Sequence, residues 1–201
     1  MKISYSPHIA LTTGNPFVHT IESKHAVHFA TALHSFQLFL GQENHSQSPH
    51  KSRIEFQGDE GKIRDGSRPG ITQFNHYNLL EKFNDSQFLN QENPGYNDVF
   101  LEDEKCHLHI YYYPQVPGNP FVFPVESPEQ AHALLNMLYA YDDYLLTKCD
   151  SMRVDYSNSG GLNMRDPVDS SEWINWDIET DDDYFDNLDD YMESKKESAV
   201  R

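Results

Sequence analysis

The residues of this chain that could carry chemistry begin with histidine, which occurs 11 times. His25 and His28 lie one turn apart on a predicted helix, and His34 lies farther along it. A zinc site needs several ligands that converge on the metal, whereas this helix offers a pair without an HExxH motif or a cysteine. The sequence therefore favours surface or half-buried histidines and predicts no cofactor. A small metal-dependent hydrolase that uses the histidine-rich first half of the chain remains the alternative function.

Nucleophiles and paired acids give no stronger signal for catalysis. Cys106 follows Lys105 and Cys149 follows Lys148, but neither neighbour clearly activates a thiolate. Asp142 and Asp143 are adjacent, so a helix would point them in different directions. The stretch 155–161, which holds Asp, Asn and two glycines, fits a tight turn better than an active-site loop. We therefore expect that the protein is not an enzyme.

The negative charge of the chain is concentrated in one segment. The formal net charge is −17, and residues 166–194 carry 12 acidic and no basic side chains. A charge run is usually a solvated face, but this acidic segment also holds several large apolar residues that a purely solvating tail does not need. The overall charge argues against direct binding of nucleic acid and of an anionic membrane surface.

Apolar residues recur at a helical spacing near the end of the acidic segment. Thr180 can cap a helix over 181–193, and Tyr184, Leu188 and Tyr191 would line one stripe of it. We expect this stripe to pack on the protein itself or on a partner. The aspartates of the helix would then face outward.

Two tryptophans precede that helix on a predicted strand. Trp173 and Trp176 are three positions apart rather than two, so one should pack inward and the other should be partly exposed, with an irregular stretch between them. The residues predicted to bind a partner are the carboxylates and rings of this region: Asp181, Asp182, Asp183, Asp186, Asp189, Asp190, Tyr184, Tyr191, Trp173 and Trp176.

Two short repeats indicate an internal duplication. The string GNPFV occurs at 14–18 and again at 118–122, and both copies lead through an aliphatic residue and Glu-Ser into a helical pattern. The predicted fold class is α+β: a tandem duplication of a ββαβ module, followed by an acidic C-terminal helix or tail. In each module one helix would cover one face of a small antiparallel sheet.

The two modules are predicted to share one order of elements. The predicted strands are 3–6, 17–21 and 53–56 in the first module, and 107–113, 121–125 and 152–156 in the second. The two helices should begin at Ser23 and Ser127, and Ser127 with Gln130 can form a capping box. A further short helix is predicted at 73–83. The predicted domains are 1–85 for the first module, 86–104 for a linker, 105–180 for the second module and 181–201 for the acidic tail.

The end of the second module resembles a known family. The stretch 154–162 (VDYSNSGGL) and the stretch 172–176 (EWINW) are similar to short phage-encoded superinfection exclusion proteins. The resemblance covers about residues 107–180, since those proteins look like one module with a D-Y-x-N-x-G-G-L stretch, a tryptophan-containing strand and an acidic end. It implies a phage or prophage origin and a role in blocking a competing phage or a host defence.

Charge and resemblance together lead to the hypothesis of a binding protein. Its acidic, aromatic surface would occupy a basic site on a nucleic-acid-binding protein of host defence, such as a CRISPR effector or a restriction enzyme, and would mimic nucleic acid there. A homodimer whose tail docks on its own body is a third reading. The chain has no apolar run long enough for a transmembrane helix and its start lacks a signal-peptide core, so we expect a cytoplasmic protein without a membrane partner.

Overall fold

The chain folds into two compact units, each built around a small sheet. The computed structural model describes residues 2–6, 17–22, 25–44, 53–57, 71–74, 106–114, 118–148, 158–180 and 183–200. One unit comprises Met1–Asn97 with Met137–Val154, and the other comprises Asp98–Asn136 with Asp155–Arg201. The division thus falls within one long helix. The predicted linker over 86–104 lies outside the described residues and stays a prediction.

The first unit contains a four-stranded antiparallel sheet. Its strands and helix are β1 (Lys2–Ser6), β2 (Phe17–Thr20), α1 (Ala26–Asn44), β3 (Arg53–Gln57) and β4 (Ile71–Phe74), and the strands lie in the order β2-β1-β3-β4. The three strands predicted in this half of the chain are confirmed. The helix predicted at 73–83 is wrong at its start, because residues 73 and 74 pair with β3 in strand β4. The rest of that short helix lies outside the described residues, as does Ser23, the predicted start of α1.

Aromatic side chains form the core of the first unit. Phe17 on β2 packs edge-on against Tyr141, with ring centroids 5.0 Å apart, and Phe36 of α1 meets the same ring at 6.3 Å. All three side chains are buried, as are Phe29 and Leu33 on the same face of α1. This face has the spacing that the sequence predicted for the core side of the helix.

The second unit repeats the strand order of the first. Its elements are β5 (Leu108–Tyr113), β6 (Phe121–Val125), the start of α2 (Pro128–Lys148), β7 (Ser159–Arg165) and β8 (Trp173–Asn175), and its strands lie in the antiparallel order β6-β5-β7-β8. Ile110, Tyr112 and Phe123 are buried on one face of this sheet together with Leu134 and Leu135 of α2. The fold is therefore mixed α and β with small antiparallel sheets, as predicted.

The glycine pair of the second unit lies in a strand and not in the predicted turn. Gly160 and Gly161 belong to β7, and Gly161 pairs directly with Tyr111 of β5. A Cβ at position 161 would lie 2.6 Å from Cζ of Tyr111, so the tyrosine ring can lie across the strand only because this residue is glycine. The predicted strand 152–156 lies outside the described residues.

The long helix α2 begins as its sequence predicts. The backbone N–H of Gln130 donates to Ser127 Oγ (3.2 Å), and Gln130 Oε1 accepts from the backbone N–H of Glu126 (2.7 Å). Pro128 is the first helical residue, where its missing N–H costs nothing. This capping box fixes the start of α2 at the edge of the second unit's core.

The acidic segment ends in a small hairpin and a helix. Strands β9 (Ile178–Glu179) and β10 (Tyr184–Phe185) pair with each other, and α3 covers Leu188–Val200. The helix predicted over 181–193 is therefore wrong at its start. Thr180 caps a turn instead, since its Oγ1 accepts from the N–H of Asp183 (3.0 Å), and Asn187 caps α3 by accepting from the N–H of Asp189 (2.8 Å). Among the described helices, none is long and apolar enough to cross a membrane.

Candidate functional site

The helix α3 is held on the second unit by one buried tyrosine. Tyr191 is 6% exposed, and its ring meets Trp176 and Phe185 edge-on at 5.4 and 5.7 Å between centroids. Its hydroxyl donates to Glu129 Oε1 at the start of α2 (3.4 Å). Beside it, His132 Nε2 lies 3.2 Å from Asp189 Oδ1. A helix as short as α3 is marginal in water on its own, so these contacts are what order it.

The predicted apolar stripe is only partly formed. Tyr191 is buried and Leu188 is half-buried, but Tyr184 is 60% exposed because it lies on β10 rather than on the helix. The Tyr184 hydroxyl donates to Asp177 Oδ2 (3.1 Å), which raises the pKa of the phenol and fixes the ring on the surface.

The carboxylates of the acidic segment face solvent. Asp183, Asp186, Asp189 and Asp190 are all exposed, so the rings beneath this surface are buried while its charges are not. Asp181 and Asp182, the other two aspartates predicted to bind a partner, lie outside the described residues. The acidic segment is thus not a loose tail over its described part, because its acids lie in the loop between β7 and β8, in or beside the β9–β10 hairpin, and on α3.

The two tryptophans divide as predicted. Trp176 is 5% exposed beneath Tyr191. Its backbone N–H donates to the carbonyl of Leu162 (2.9 Å), one residue after the end of β8. Trp173 lies on β8 and is half-buried. Its indole is covered by the guanidinium of Arg165, 4.4 Å from the ring centroid, and meets the ring of His109 edge-on at 4.1 Å.

An ordered loop joins β7 and β8. Asp166 Oδ1 accepts from the N–H groups of Val168 (2.6 Å) and Asp169 (3.2 Å), and Asp169 Oδ1 accepts from the hydroxyl of Ser171 (2.7 Å). The Ser171 hydroxyl and the backbone N–H of Ser171, which also donates to Asp169 Oδ1 (3.0 Å), lower the pKa of Asp169. The loop places Val168 in solvent at 94% exposure, between Asp166 and Asp169 in the sequence.

The sheet face opposite the core of the second unit carries a second group of aromatic and polar residues, which we call the open face. Strand alternation and register place the following residues on it: His107, which precedes β5; His109, Tyr111 and Tyr113 of β5; Val122 and Pro124 of β6; Ser159, Gly161, Asn163 and Arg165 of β7; and Trp173 and Asn175 of β8. None of these positions is Asp, Glu or Lys. Tyr111, Tyr113 and Trp173 are half-buried, and Asn175 is exposed.

A neutral histidine lies at the centre of the open face. His109 is 4% exposed and pairs with Asn163 in the register, and the Asn163 amide Nδ2 donates to His109 Nε2 (3.1 Å). Burial lowers the pKa of His109 to about 4, and the positive charge of Arg165 adds to this effect. Within the described residues, His109 Nδ1 and Asn163 Oδ1 have no hydrogen-bond partner.

The sequence predicted one strand of the open face but not the strands that lie beside it. The alternation of His107 and His109 with buried neighbours predicted β5, but no local pattern shows which residues β7 and β8 set beside them. Of the histidines that raised the possibility of a metal, His25 precedes α1 and stacks on the buried ring of Phe29, whereas the side chain of His34 lies outside the described part of the structure. In the part of the chain that the structure describes, no group of three His, Cys, Asp or Glu side chains is placed to hold a metal ion.

Comparison with known proteins places a family match on the second half of the chain. Residues 107–197 match the family described as superinfection exclusion gene product 17, so the match extends the predicted resemblance through the acidic helix α3. The superinfection exclusion protein of Salmonella phage P22 is 30% identical over 103 residues, which cover 46% of this chain and 96% of that protein. No solved structure matches the chain. Since nearly the whole of a relative at this identity is covered, the chain belongs to the superinfection exclusion gene product 17 family.

Proposed function

We propose that this protein acts in superinfection exclusion by binding, without catalysis, a basic site on a protein of host defence or of a competing phage. The family gives the first half of this proposal, since the matched P22 protein is named for superinfection exclusion. The acidic segment gives the second half. Residues 166–194 lie entirely inside the family match over 107–197.

The observation that carries the proposal is the combination of buried rings and exposed carboxylates in the acidic segment. Trp176 and Tyr191 hold the β9–β10 hairpin and α3 on the second unit, while Asp183, Asp186 and Asp190 remain exposed. A fixed row of like charges is costly in a free protein, because the charges repel each other. A basic partner relieves that repulsion and is steered to the surface from a distance.

A nucleic-acid-binding protein is the kind of partner that fits this surface. Its cleft attracts negative charge because it has evolved to hold a row of phosphates, and ordered carboxylates can occupy the same cleft. The net charge of −17 makes direct binding of nucleic acid by the acidic segment unfavourable. The proposed targets are therefore a CRISPR effector or a restriction enzyme in the host cytoplasm, and this protein would act there as an anti-CRISPR or anti-restriction protein.

A variant with three of these aspartates replaced by asparagine tests this proposal. The acidic-face variant carries Asp183→Asn, Asp186→Asn and Asp190→Asn, and leaves Asp189 unchanged because it lies 3.2 Å from His132. The control variant removes the same number of charges from exposed positions outside the acidic segment and outside α3: Glu22→Gln, Glu126→Gln and Asp143→Asn. Each tagged variant is used to capture proteins from host lysate at low and high salt, with bound proteins quantified by mass spectrometry.

The proposal predicts a basic protein that the wild type and the control retain at low salt and the acidic-face variant loses. The difference should shrink at high salt, because screening removes most of the contribution of exposed charges. Added duplex DNA should release the same protein by competing for its basic site. Equal capture by all three forms at low salt would show that the acidic segment is only a solvated face.

We also propose that the chain arose by duplication of one module. The two sheets have the same antiparallel strand order, and in each a helix connects the second and third strands of the chain. The repeated GNPFV string supports the same origin. An experimental structure of the whole chain tests this: the two units should superpose strand for strand, and different connections in the first unit would rule the duplication out.

A further inference from the structure

We propose that the open face of the second unit is the apolar core of a protein-binding surface, and that the neighbouring carboxylates of the β7–β8 loop form its acidic rim. This inference rests on the proposed function and deepens it, because it says which surface supplies the holding contacts. The occupant is a protein whose basic residues surround an apolar or aromatic patch.

Composition supports this assignment. The centre of a protein interface is enriched in Tyr, Trp and Arg and depleted of Lys, Asp and Glu, and truncations of Tyr, Trp and Arg cause the largest losses of affinity. The open face carries Tyr111, Tyr113, Trp173 and Arg165, and it has no carboxylate in a chain with 32 acidic residues. A surface that merely faces water has no reason to exclude acids so completely.

Preorganisation gives a second argument. Tyr111 lies across Gly161 and meets Tyr113 edge-on at 6.1 Å, and the guanidinium of Arg165 covers the Trp173 indole. Rings held this way lose little conformational freedom when a partner binds, so more of the contact energy remains as affinity. The glycine at 161 makes this placement of the Tyr111 ring sterically allowed.

Charge complementarity decides the occupant. The β7–β8 loop runs from Arg165, the last residue of β7, to Trp173, the first residue of β8. The exposed carboxylates of Asp169 and Glu172 in this loop therefore flank this end of the open face. Val168 projects from the same loop at 94% exposure. An aromatic face that carries no acid and whose arginine, Arg165, is stacked on Trp173, beside exposed acids, matches a basic protein, whereas a second copy of this chain would bring acid against acid.

The test uses two substitutions on the open face and one matched substitution off it. Asn175→Arg adds a cation at an exposed position of the face, and Tyr113→Ala removes a half-buried ring whose aromatic contact is with Tyr111. Thr147→Arg adds the same cation at an exposed position near the end of α2, about 20 Å along that helix from the His132–Asp189 contact. Thermal unfolding of each purified full-length variant shows whether it is folded.

Two readouts follow for each variant in host cells. The first is the number of plaques that a challenge phage forms on cells expressing the full chain. The second is photocrosslinking from a photoreactive phenylalanine analogue placed at position 175 or at position 147. We expect Asn175→Arg and Tyr113→Ala to restore plaques, Thr147→Arg to leave exclusion intact, and position 175 alone to crosslink a different protein. Tyr113→Ala should weaken binding of that purified protein by about 30-fold, as loss of an interface hot spot does.

The other outcomes overturn the inference in distinguishable ways. Full exclusion by both open-face variants, with loss of exclusion in the acidic-face variant, would overturn the open face and leave the proposed function standing. A crosslink from position 175 to a second copy, with a doubled mass in light scattering, would assign the face to a homodimer. Quenching of tryptophan fluorescence by a 15-residue single-stranded DNA would assign it to nucleic acid. Absence of exclusion by the wild type would overturn the proposed function, and crosslinking from position 175 would still decide whether the face binds a protein.

Discussion

Replacement of His109 is predicted to change how the stability of the second unit depends on pH. His109 is buried and neutral beside Trp173 and Arg165, and its pKa in the folded protein is about 4 instead of the ordinary 6.5. The unfolded chain therefore binds a proton at this residue below about pH 6.5, whereas the folded chain does not until about pH 4. His109→Gln keeps a neutral amide that can pair with Asn163 and removes the titration.

The size of the effect follows from the two pKa values. The stability that depends on neutral His109 is fully present above pH 6.5 and declines as the pH falls toward 4. At about 1.4 kcal/mol for each pH unit, the total loss is about 3 kcal/mol, of which about 2 kcal/mol is lost by pH 5. Below pH 4 the folded residue is protonated as well, so the loss from this group stops growing.

Urea unfolding at a series of pH values between 4 and 7.5 measures this dependence. The fluorescence of Trp173 and Trp176 reports on the second unit, because both indoles lie in it. The wild type should lose about 2 kcal/mol more free energy of unfolding than His109→Gln between pH 7 and pH 5. Carboxylates titrate in both proteins, so their contribution cancels in the comparison. Parallel pH curves for the two proteins would refute the buried, neutral state of His109.

Substitutions at Tyr191, Gly161 and Asn187, the first two compared with a second variant, test the contacts that shape the surface. Tyr191→Ala should cost about 3 kcal/mol and reduce helicity in circular dichroism as α3 detaches, whereas Tyr184→Ala, at a 60% exposed position, should stay within about 0.5 kcal/mol of the wild type. Gly161→Ala should cost about 1–3 kcal/mol in urea unfolding, and less in a Tyr111→Leu background that removes the overlapping ring. Asn187→Ala should cost about 1 kcal/mol by removing the cap of α3, and an unchanged unfolding midpoint would contradict that role.

Local sequence signals predicted the elements that local chemistry determines. The start of α2 follows from Ser127, Pro128 and Gln130 alone, and the structure forms those hydrogen bonds. The start of α3 could not be read in the same way, because Thr180 and Asn187 are both good caps. The pairing of β9 with β10 uses Thr180 in a turn and leaves Asn187 to begin the helix.

The candidate surface likewise has one part that local sequence predicted and one part that it did not. Charge and apolar spacing in the sequence indicated an acidic segment with buried rings, and Tyr191 and Trp176 confirm it. The open face depends on register between strands far apart in the chain, such as His109 beside Asn163. Register is set by the packing of the whole sheet, so the sequence showed the alternation on β5 without showing what completes the face.

Exclusion of a challenge phage by the acidic-face variant is the most direct test of the central claim. Plaques are counted on cells that express equal amounts of the wild type, the acidic-face variant or the control variant, with folding confirmed by circular dichroism. The account predicts few plaques with the wild type and with the control variant, and plaque numbers near those of cells without the protein for the acidic-face variant. Full exclusion by the acidic-face variant would contradict the claim that the exposed carboxylates of the acidic segment bind the target.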